Sequence, residues 1–151
     1  MVTPVVAGSS AHPRFFWNVS ANVGVYSPNK PDDVQLVQFA YALTAADTYY
    51  DAALRAIFAT VMPGAAYFGQ ESDPLTRAIR GHEKQRGGAQ DGRVSVLTQL
   101  TTASYDGGAH TFLIASLNFE LRKFLPGVFP RLDKHPKCPP LLRAAVNAAC
   151  A

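Results

Sequence analysis

The stretch DPLTRAIRGHEKQRGG, residues 73–88, carries the most complete helix signal in the chain. Asp73 is a favourable N-cap and Pro74 suits the first helical position, while Gly87 and Gly88 end the helix. Apolar side chains and one histidine recur on one face, and basic side chains occupy the opposite face. The first set is Leu75, Ala78, Ile79 and His82, and the second is Arg77, Arg80 and Lys84. This pattern predicts an amphipathic helix that packs on a core.

The segments after this helix contain a tight turn and two further helix patterns. Asp91-Gly92 predicts the turn, and the apolar residues after it, up to Leu100, are interpreted as one or two helical turns. Residues 111–125 have apolar side chains at helical offsets; FLIASLNFEL within them also fits a strand, and helix is the preferred interpretation. A proline-rich linker over residues 136–140 leads to a last amphipathic helix over residues 141–149.

The segments before residue 73 predict two further helices and a strand. Pro31 followed by two aspartates is typical of a helix start, and this helix is expected to run to about residue 45. Asp47-Thr48 is interpreted as the cap of a second helix over residues 48–61. Residues 18–26 alternate between apolar and polar side chains, which predicts a half-buried strand. Residues 1–13 are predicted to be a flexible leader.

These elements predict a mainly α fold. It is a small helical bundle in one domain over residues 14–151, with an N-terminal strand or arm and additional C-terminal helices. Three consecutive aromatic residues precede the predicted strand: Phe15, Phe16 and Trp17. They are interpreted as a cap on the core, and contact with a partner is the alternative.

Two parts of the sequence resemble a peptidoglycan-binding-like domain. Phe68-Gly69, the helix of residues 73–86 and DGRVSVLT, residues 91–98, are similar to the second half of that family, in which a Phe-Gly pair precedes a T-x-x-A-V-x-x-F-Q helix and a D-G-x-V-G turn. DVQLVQ, residues 33–38, with Asn29 before it, resembles the family's D-V-x-x-L-Q opening helix. The resemblance covers residues 29 to about 100 and implies a three-helix core that binds cell-wall glycan or peptide without catalysis.

The chain also departs from the family pattern. His82-Glu83 stands where the family has Phe-Gln, and Ser95 replaces the second glycine of the turn. A whole helix is inserted between the first two helices, and residues 101–151, the C-terminal helical extension, have no counterpart. The fold implied by the resemblance is therefore a separate expectation from glycan recognition, because a fold does not carry its binding site with it.

The resemblance implies a ligand-binding groove beside the helix of residues 73–86. Recognition of a glycan or stem peptide requires an aromatic side chain and converging polar groups in a concave site. The candidate ligand-binding residues are Tyr67, Arg77, Arg80, Gln85 and Asp91. The alternative function is a structural component of a phage-tail-like or secretion assembly, in which the arm over residues 14–26, with Phe15, Phe16 and Trp17, pairs with a neighbouring subunit by strand addition.

Local signatures of catalysis are absent from the sequence. It contains no G-x-S-x-G, H-E-x-x-H, G-x-x-x-x-G-K-[ST] or G-x-G-x-x-G motif, so a noncatalytic role is predicted and a small hydrolase is kept as the lesser alternative. His82 lies on an apolar helix face and is interpreted as a core histidine. His135 and Cys138 supply two ligands where a structural zinc site needs four, so no metal or cofactor is predicted. Cys138 and Cys150 are interpreted as free thiols.

Composition and charge exclude several classes of protein. The 151 residues are 48% hydrophobic and 17% charged, which excludes a disordered acidic tail, a collagen or a coiled coil. The net charge of +3 is too small to predict a nucleic-acid partner. It divides into −3 before residue 77 (three basic and six acidic residues) and +6 from residue 77 onward (eleven basic and five acidic residues). No signal peptide or membrane span is recognised, so the cytoplasm is the predicted location, with delivery by a larger machine as the alternative.

Overall fold

The computed structural model describes residues 2–7, 14–98 and 112–151, which are mainly helical, as the sequence predicts. In this part of the chain the α-helices are α1 Pro31–Thr44, α2 Ala52–Ala59, α3 Pro74–Arg86, α4 Leu113–Phe124 and α5 Pro140–Ala149, with a 3-10 helix at Leu132–Lys134. The strands are β1 Thr3–Ala7, β2 Arg14–Asn18, β3 Val23–Gly24 and β4 Arg93–Val94.

Helix α1 lies at the centre and packs against α2, α4 and α5. Its side chains are buried on most sides, which agrees with the apolar residues that continue around the predicted helix. Two buried glutamines of α1 fasten neighbouring segments. The Gln35 Oε1 atom accepts hydrogen bonds from the backbone N–H groups of Leu141 and Leu142, at 2.8 and 2.9 Å. The Gln38 side chain accepts a hydrogen bond from the Gly64 N–H at 3.0 Å and donates one to the Ala65 carbonyl at 2.9 Å.

Helix α3 follows its sequence signals closely. The Asp73 carboxylate accepts a hydrogen bond from the Leu75 N–H at 2.8 Å, Pro74 is the first helical residue, and Gly87 ends the helix with φ of +67°. The predicted inward set, Leu75, Ala78, Ile79 and His82, is buried. These termination signals are local, so the sequence alone places both ends of the helix correctly.

The strands form two small antiparallel pairs. In the first, β1 pairs with β2, and Val5 lies opposite Phe16. In the second, β3 pairs with β4, and Val23 lies opposite Val94. Helix α4 is attached to β2 through Asn118, whose side chain accepts from the Trp17 N–H and donates to the Trp17 carbonyl, both at 2.7 Å. The preference for helix over strand in FLIASLNFEL is confirmed.

The N-terminal strand predictions are partly wrong. The predicted strand over residues 18–26 is interrupted, since β2 ends at Asn18 and β3 is only Val23–Gly24. The break occurs because the buried Asp33 carboxylate accepts hydrogen bonds from the N–H groups of Ser20 and Ala21 and thereby holds a turn. Part of the predicted leader, Thr3–Ala7, is β1. Residues 8–13 of that leader lie outside the described residues.

Two further boundaries differ from the sequence prediction. The segment after Gly92 is β4 followed by irregular chain instead of helical turns, because the Asn18 side chain pairs with the Leu97 backbone at 2.9 and 3.0 Å. Leu100 lies outside the described residues. Helix α2 begins at Ala52, with Asp51 as its cap at 2.8 Å from the Leu54 N–H. The predicted cap of α2, Asp47, makes other contacts that are described below.

Candidate functional site

Asn29 organises the turn between β3 and α1. Its side chain accepts from the Gly24 N–H at 2.8 Å and donates to the Gly24 carbonyl at 2.9 Å. Gly24 has φ of +136°, and a Cβ atom there would lie 2.1 Å from the Gly92 carbonyl oxygen. Gly69 also lies close to Gly24, since a Cβ atom added at Gly69 would lie 3.0 Å from the Gly24 carbonyl oxygen. Asn29, Gly69 and Gly92 therefore meet around Gly24.

A groove of about 440 Å³ lies over this junction and includes two highly exposed aromatic side chains. Tyr26 is 98% exposed and Phe68 is 78% exposed. We call this surface the aromatic groove; it is lined by Val25, Tyr26, Ser27, Asn29, Phe68, Gly69 and Glu71. Tyr26 has φ of +50°, and its neighbour Ser27 donates a hydrogen bond to the Val25 carbonyl. A fixed backbone thus presents the aromatic rings to solvent.

Arg80 connects the aromatic groove to the turn before β4. Its guanidinium donates two hydrogen bonds to the Glu71 carboxylate, at 2.6 and 3.1 Å, and a third to the Gln90 carbonyl at 3.3 Å. The hydrogen bond from Arg80 lowers the pKa of Glu71, although the Glu71 side chain is exposed. Arg80, one of the five predicted ligand-binding residues, therefore contacts this groove through its lining residue Glu71.

The structure does not bring the five predicted ligand-binding residues together. Tyr67 is buried and its hydroxyl lies 2.6 Å from the Thr76 Oγ1 atom, while burial raises the pKa of its phenol. Arg77 is exposed on the outer face of α3. Gln85 and Asp91 line two different cavities near the end of α3.

Two of the three aromatic residues of β2, Phe16 and Trp17, lie in the core, as their preferred interpretation predicts. Phe16 and Trp17 are each 1% exposed, and Phe15 is half-buried. The Trp17 indole N–H donates to the Pro130 carbonyl at 2.8 Å. Because the Trp17 backbone is bonded to Asn118 and β2 pairs with β1, this part of the arm already has partners within the chain. The assembly hypothesis remains a prediction.

His82 is a core histidine with partners at both ring nitrogens. Its Nδ1 atom lies 2.9 Å from the Tyr41 hydroxyl, and its Nε2 atom lies 3.3 Å from the Tyr50 hydroxyl. Phe58 completes the cluster in a T-shaped contact with the imidazole. Burial raises the pKa of both tyrosines, so they are neutral hydroxyls that bond to the imidazole. The prediction of a buried, satisfied His82 is confirmed.

A second concave region lies beside this cluster. We call it the acid cavity; it measures about 400 Å³ and is lined by Asp47, Tyr49, Tyr50, Ser116, Phe119, Glu120 and Lys123. The Lys123 Nζ atom lies 2.9 Å from Asp47 Oδ1, which also accepts from the Tyr49 N–H at 3.0 Å. Burial acts to raise the pKa of Asp47, but hydrogen bonds from Lys123, the Tyr49 N–H and the Glu120 carboxyl lower it.

The pKa of the Glu120 carboxyl shifts in the opposite direction to that of Asp47. Burial, followed by the shared hydrogen bond with Asp47, raises the pKa of Glu120 to about 8. Glu120 therefore holds a proton at neutral pH and donates it to the Asp47 carboxylate. A similar effect occurs at the end of α3, where burial and a hydrogen bond with the Asp91 carboxyl raise the pKa of Glu83 to about 7. Strongly shifted acids in a concave region are typical of functional sites.

The sequence alone indicated only part of these two regions. Phe68 belongs to the Phe-Gly pair of the family resemblance, whereas Tyr26 is the last residue of the predicted strand over residues 18–26 and lies instead in a turn with φ of +50°. Glu120 follows an apolar run and Asp47 resembles a helix cap, so the sequence patterns predict neither as a site residue. The signal that points to Glu120 is an acid among apolar residues in a segment predicted to be core, since unpaired acids are seldom buried.

In the part of the chain that the structure describes, no helix combines the length and apolar character needed to cross a membrane. No protein-family model matches the sequence, and no curated protein or solved structure shows significant similarity to it.

Proposed function

We propose that the chain is a noncatalytic binding module of peptidoglycan-binding-like type that contacts cell-wall glycan or peptide through the aromatic groove. The observation that carries this proposal is the exposure of two large aromatic side chains, Tyr26 and Phe68, on one groove. Exposed apolar surface of this kind is stabilised when a ligand covers it. The aromatic rings offer flat surfaces to the C–H faces of a sugar.

Polar groups beside the rings support the same ligand class. Ser27, Asn29 and Glu71 line the groove, and the carboxylate of Glu71 is held in place by Arg80. Hydroxyl and amide groups of a glycan or stem peptide bind to a few fixed polar groups of this kind. The backbone beneath the groove is locked by Asn29 and the adjacent glycines, so little conformational freedom is lost on binding.

A cell-wall ligand also requires that the chain reaches the wall. Delivery as part of a larger machine is therefore included in this proposal. A chain that has lost wall binding would instead act as an adaptor between proteins, and the groove would then contact a peptide.

A sedimentation assay with purified peptidoglycan sacculi tests the proposal at low salt. The wild type is expected to sediment with the sacculi, and the Tyr26→Ala/Phe68→Ala variant is expected to bind at least tenfold more weakly. Tyr49→Ala is the matched control, because Tyr49 is a 73% exposed tyrosine outside the groove. Wild-type protein that stays in the supernatant, or a double variant that sediments equally well, would contradict wall binding through this groove.

A further inference from the structure

Arg86, the last residue of helix α3, has a guanidinium without an acceptor in the described residues. The side chain is half-buried, but it makes no hydrogen bond or ion pair within them. Arg80 and Arg143 are also half-buried, and they donate to a carboxylate and to backbone carbonyls, respectively. Burial lowers the pKa of Arg86, which is typical of a cation that has lost water without gaining a partner. An anion beside Arg86 supplies the missing acceptor.

A cavity of about 250 Å³ lies at this end of α3, and we call it the arginine cavity. It is lined by Tyr49, Tyr50, Gln85, Arg86 and Ser116. The guanidinium lies on the side of the tyrosines, since burial raises the pKa of Tyr50 and the charge of Arg86 acts to lower it. The guanidinium nitrogens of Arg86 are not completely buried. A ligand that enters the arginine cavity therefore reaches them.

Two further side chains of the arginine cavity carry unused hydrogen-bond donors. The Gln85 amide and the Tyr49 hydroxyl make no hydrogen bond within the described part of the chain. Gln85 precedes Arg86 on α3, whereas Tyr49 lies in the loop between α1 and α2, where its ring meets that of Tyr50 edge to face at 5.1 Å. Oxygen atoms of an anion bind to N–H and O–H groups of this kind. The wall of the cavity is therefore suited to an anionic ligand.

The charges near Arg86 fit an anion with a single negative charge. In the adjoining acid cavity, Lys123 neutralises Asp47 at 2.9 Å, and burial raises the pKa of Glu120 to about 8, so Glu120 is protonated at neutral pH. The carboxyl of Glu83 bonds to two backbone N–H groups of the turn before β4, and it forms no ion pair with Arg86 in the described residues. A carboxylate matches the one charge of Arg86, whereas a phosphate group carries nearly two charges at neutral pH.

We propose that the arginine cavity binds a carboxylate through Arg86. The planar guanidinium donates two parallel hydrogen bonds to the two carboxylate oxygens, and the Gln85 amide or the Tyr49 hydroxyl provides a third. The Tyr49 ring, which is 73% exposed, packs against the apolar group that carries the carboxylate. The carboxylate can belong to a small organic acid or to the end of a peptide. The proposal does not depend on the aromatic groove, which is lined by other residues.

Nuclear magnetic resonance titration of the full chain, in a buffer without carboxylate or phosphate, tests the proposal with sodium benzoate and N-acetylphenylalanine as probes. Both are expected to cause saturable shifts of the backbone resonances of Tyr49, Gln85 and Arg86. Tighter binding of N-acetylphenylalanine identifies a peptide end as the source, and tighter binding of benzoate identifies a small acid. N-acetylphenylalanine amide, which lacks the charge, is expected to cause no saturable shift. Inorganic phosphate is expected to bind more weakly than both acids.

The variant Arg86→Gln is expected to bind benzoate at least about tenfold more weakly, because it loses two charge-assisted hydrogen bonds. Arg86→Lys keeps the charge without the paired donors, so it is also expected to bind more weakly than the wild type, and it decides the test if Arg86→Gln does not fold. Arg77→Gln is the matched control, since it removes an exposed guanidinium from the outer face of the same helix. The spectrum of each variant without ligand reports whether it is folded.

Several results would overturn the carboxylate site. In the wild type these are the absence of saturable shifts, shifts that lie outside the arginine cavity, and tighter binding of phosphate or of the uncharged amide than of the two acids. Among the variants they are wild-type affinity of Arg86→Lys or Arg86→Gln, and a loss in Arg77→Gln as large as that in Arg86→Gln.

Discussion

At the β3–β4 junction, the close approach of the backbone leaves no space for a side chain at residue 24. Gly24 combines φ of +136° with a position where a Cβ atom would lie 2.1 Å from the Gly92 carbonyl oxygen. Asn29 holds the Gly24 peptide groups from the other side. The aromatic groove depends on this arrangement, because Tyr26 follows two residues after Gly24. The identity of residue 24 is therefore a structural requirement of the proposed binding surface.

The variant Gly24→Ala is expected to lower the free energy of unfolding by about 3 kcal/mol, since backbone strain and a backbone clash add together. Gly127→Ala is the matched control, because Gly127 also has a positive φ, of +75°, but nothing lies within 4 Å of its Cβ position. That control is expected to lose only about 1 kcal/mol. Chemical denaturation measures both values, and equal losses in the two variants would show that close packing at Gly24 has no effect.

The buried acid Glu120 predicts how stability depends on pH. Its pKa rises from 4.5 in the unfolded chain to about 8 in the folded chain, so the folded state binds the extra proton. The free energy of unfolding is therefore highest below pH 4.5 as far as Glu120 is concerned, and it falls as pH rises toward 8. Glu83, with its pKa raised to about 7, acts in the same direction over a narrower range.

Glu120→Gln is expected to raise the free energy of unfolding by at least about 1 kcal/mol at pH 8 and by close to nothing at pH 4, below the pKa of the unfolded chain. The amide stays uncharged at both values, whereas the wild-type carboxyl resists ionisation in the cavity. Denaturant titrations of both proteins at pH 4 and pH 8 measure the difference. A variant that is less stable than wild type at pH 8 would show that the acid cavity does not favour the protonated form of Glu120.

At the scale of elements, local sequence signals set the ends of helix α3, whereas distant side chains determine the shape of the segment after Gly92. The ends of α3 were predicted correctly because Asp73, Pro74 and Gly87 act within one turn of the helix. The segment after Gly92 was predicted wrongly because its shape depends on Asn18 and Asn22, which bond to Leu97 and Val96 across 79 and 74 positions of sequence. A periodicity argument does not include such contacts. The carboxyl pair of the acid cavity is also a contact between distant residues.

Gln35 is expected to control the attachment of α5 to α1. Gln35→Ala leaves the N–H groups of Leu141 and Leu142 without their acceptor at the start of α5, at a cost of about 1–2 kcal/mol. Hydrogen exchange should accelerate in α5 first, while the amides of α3 keep their protection. Asn147→Ala, an exposed change within α5, is the control. Uniform acceleration across all helices would contradict a local role for Gln35.

At the scale of the whole molecule, the N-terminal strands belong to the same core as the helices. Val2, Phe16 and Trp17 are members of one buried cluster that also contains residues of α1, α3, α4 and α5. The sequence alone left two interpretations of the β2 aromatic residues, core cap or partner contact. Their burial favours the first, because a side chain that is 1% exposed offers almost no surface to a second molecule.

Trp17→Ala separates these two roles in a measurement. As a core residue, Trp17 is expected to contribute about 3–5 kcal/mol to the free energy of unfolding, because its removal leaves a cavity and the Pro130 carbonyl without a donor. As a partner contact, it would leave stability unchanged and abolish self-association. Tyr26→Ala is the matched aromatic control and is expected to change stability by less than about 0.5 kcal/mol, since Tyr26 is 98% exposed. Thermal denaturation measures the stability of the three proteins, and light scattering measures their mass in solution. A Trp17→Ala protein with wild-type stability and a smaller mass in solution than the wild type would establish the arm as an assembly contact.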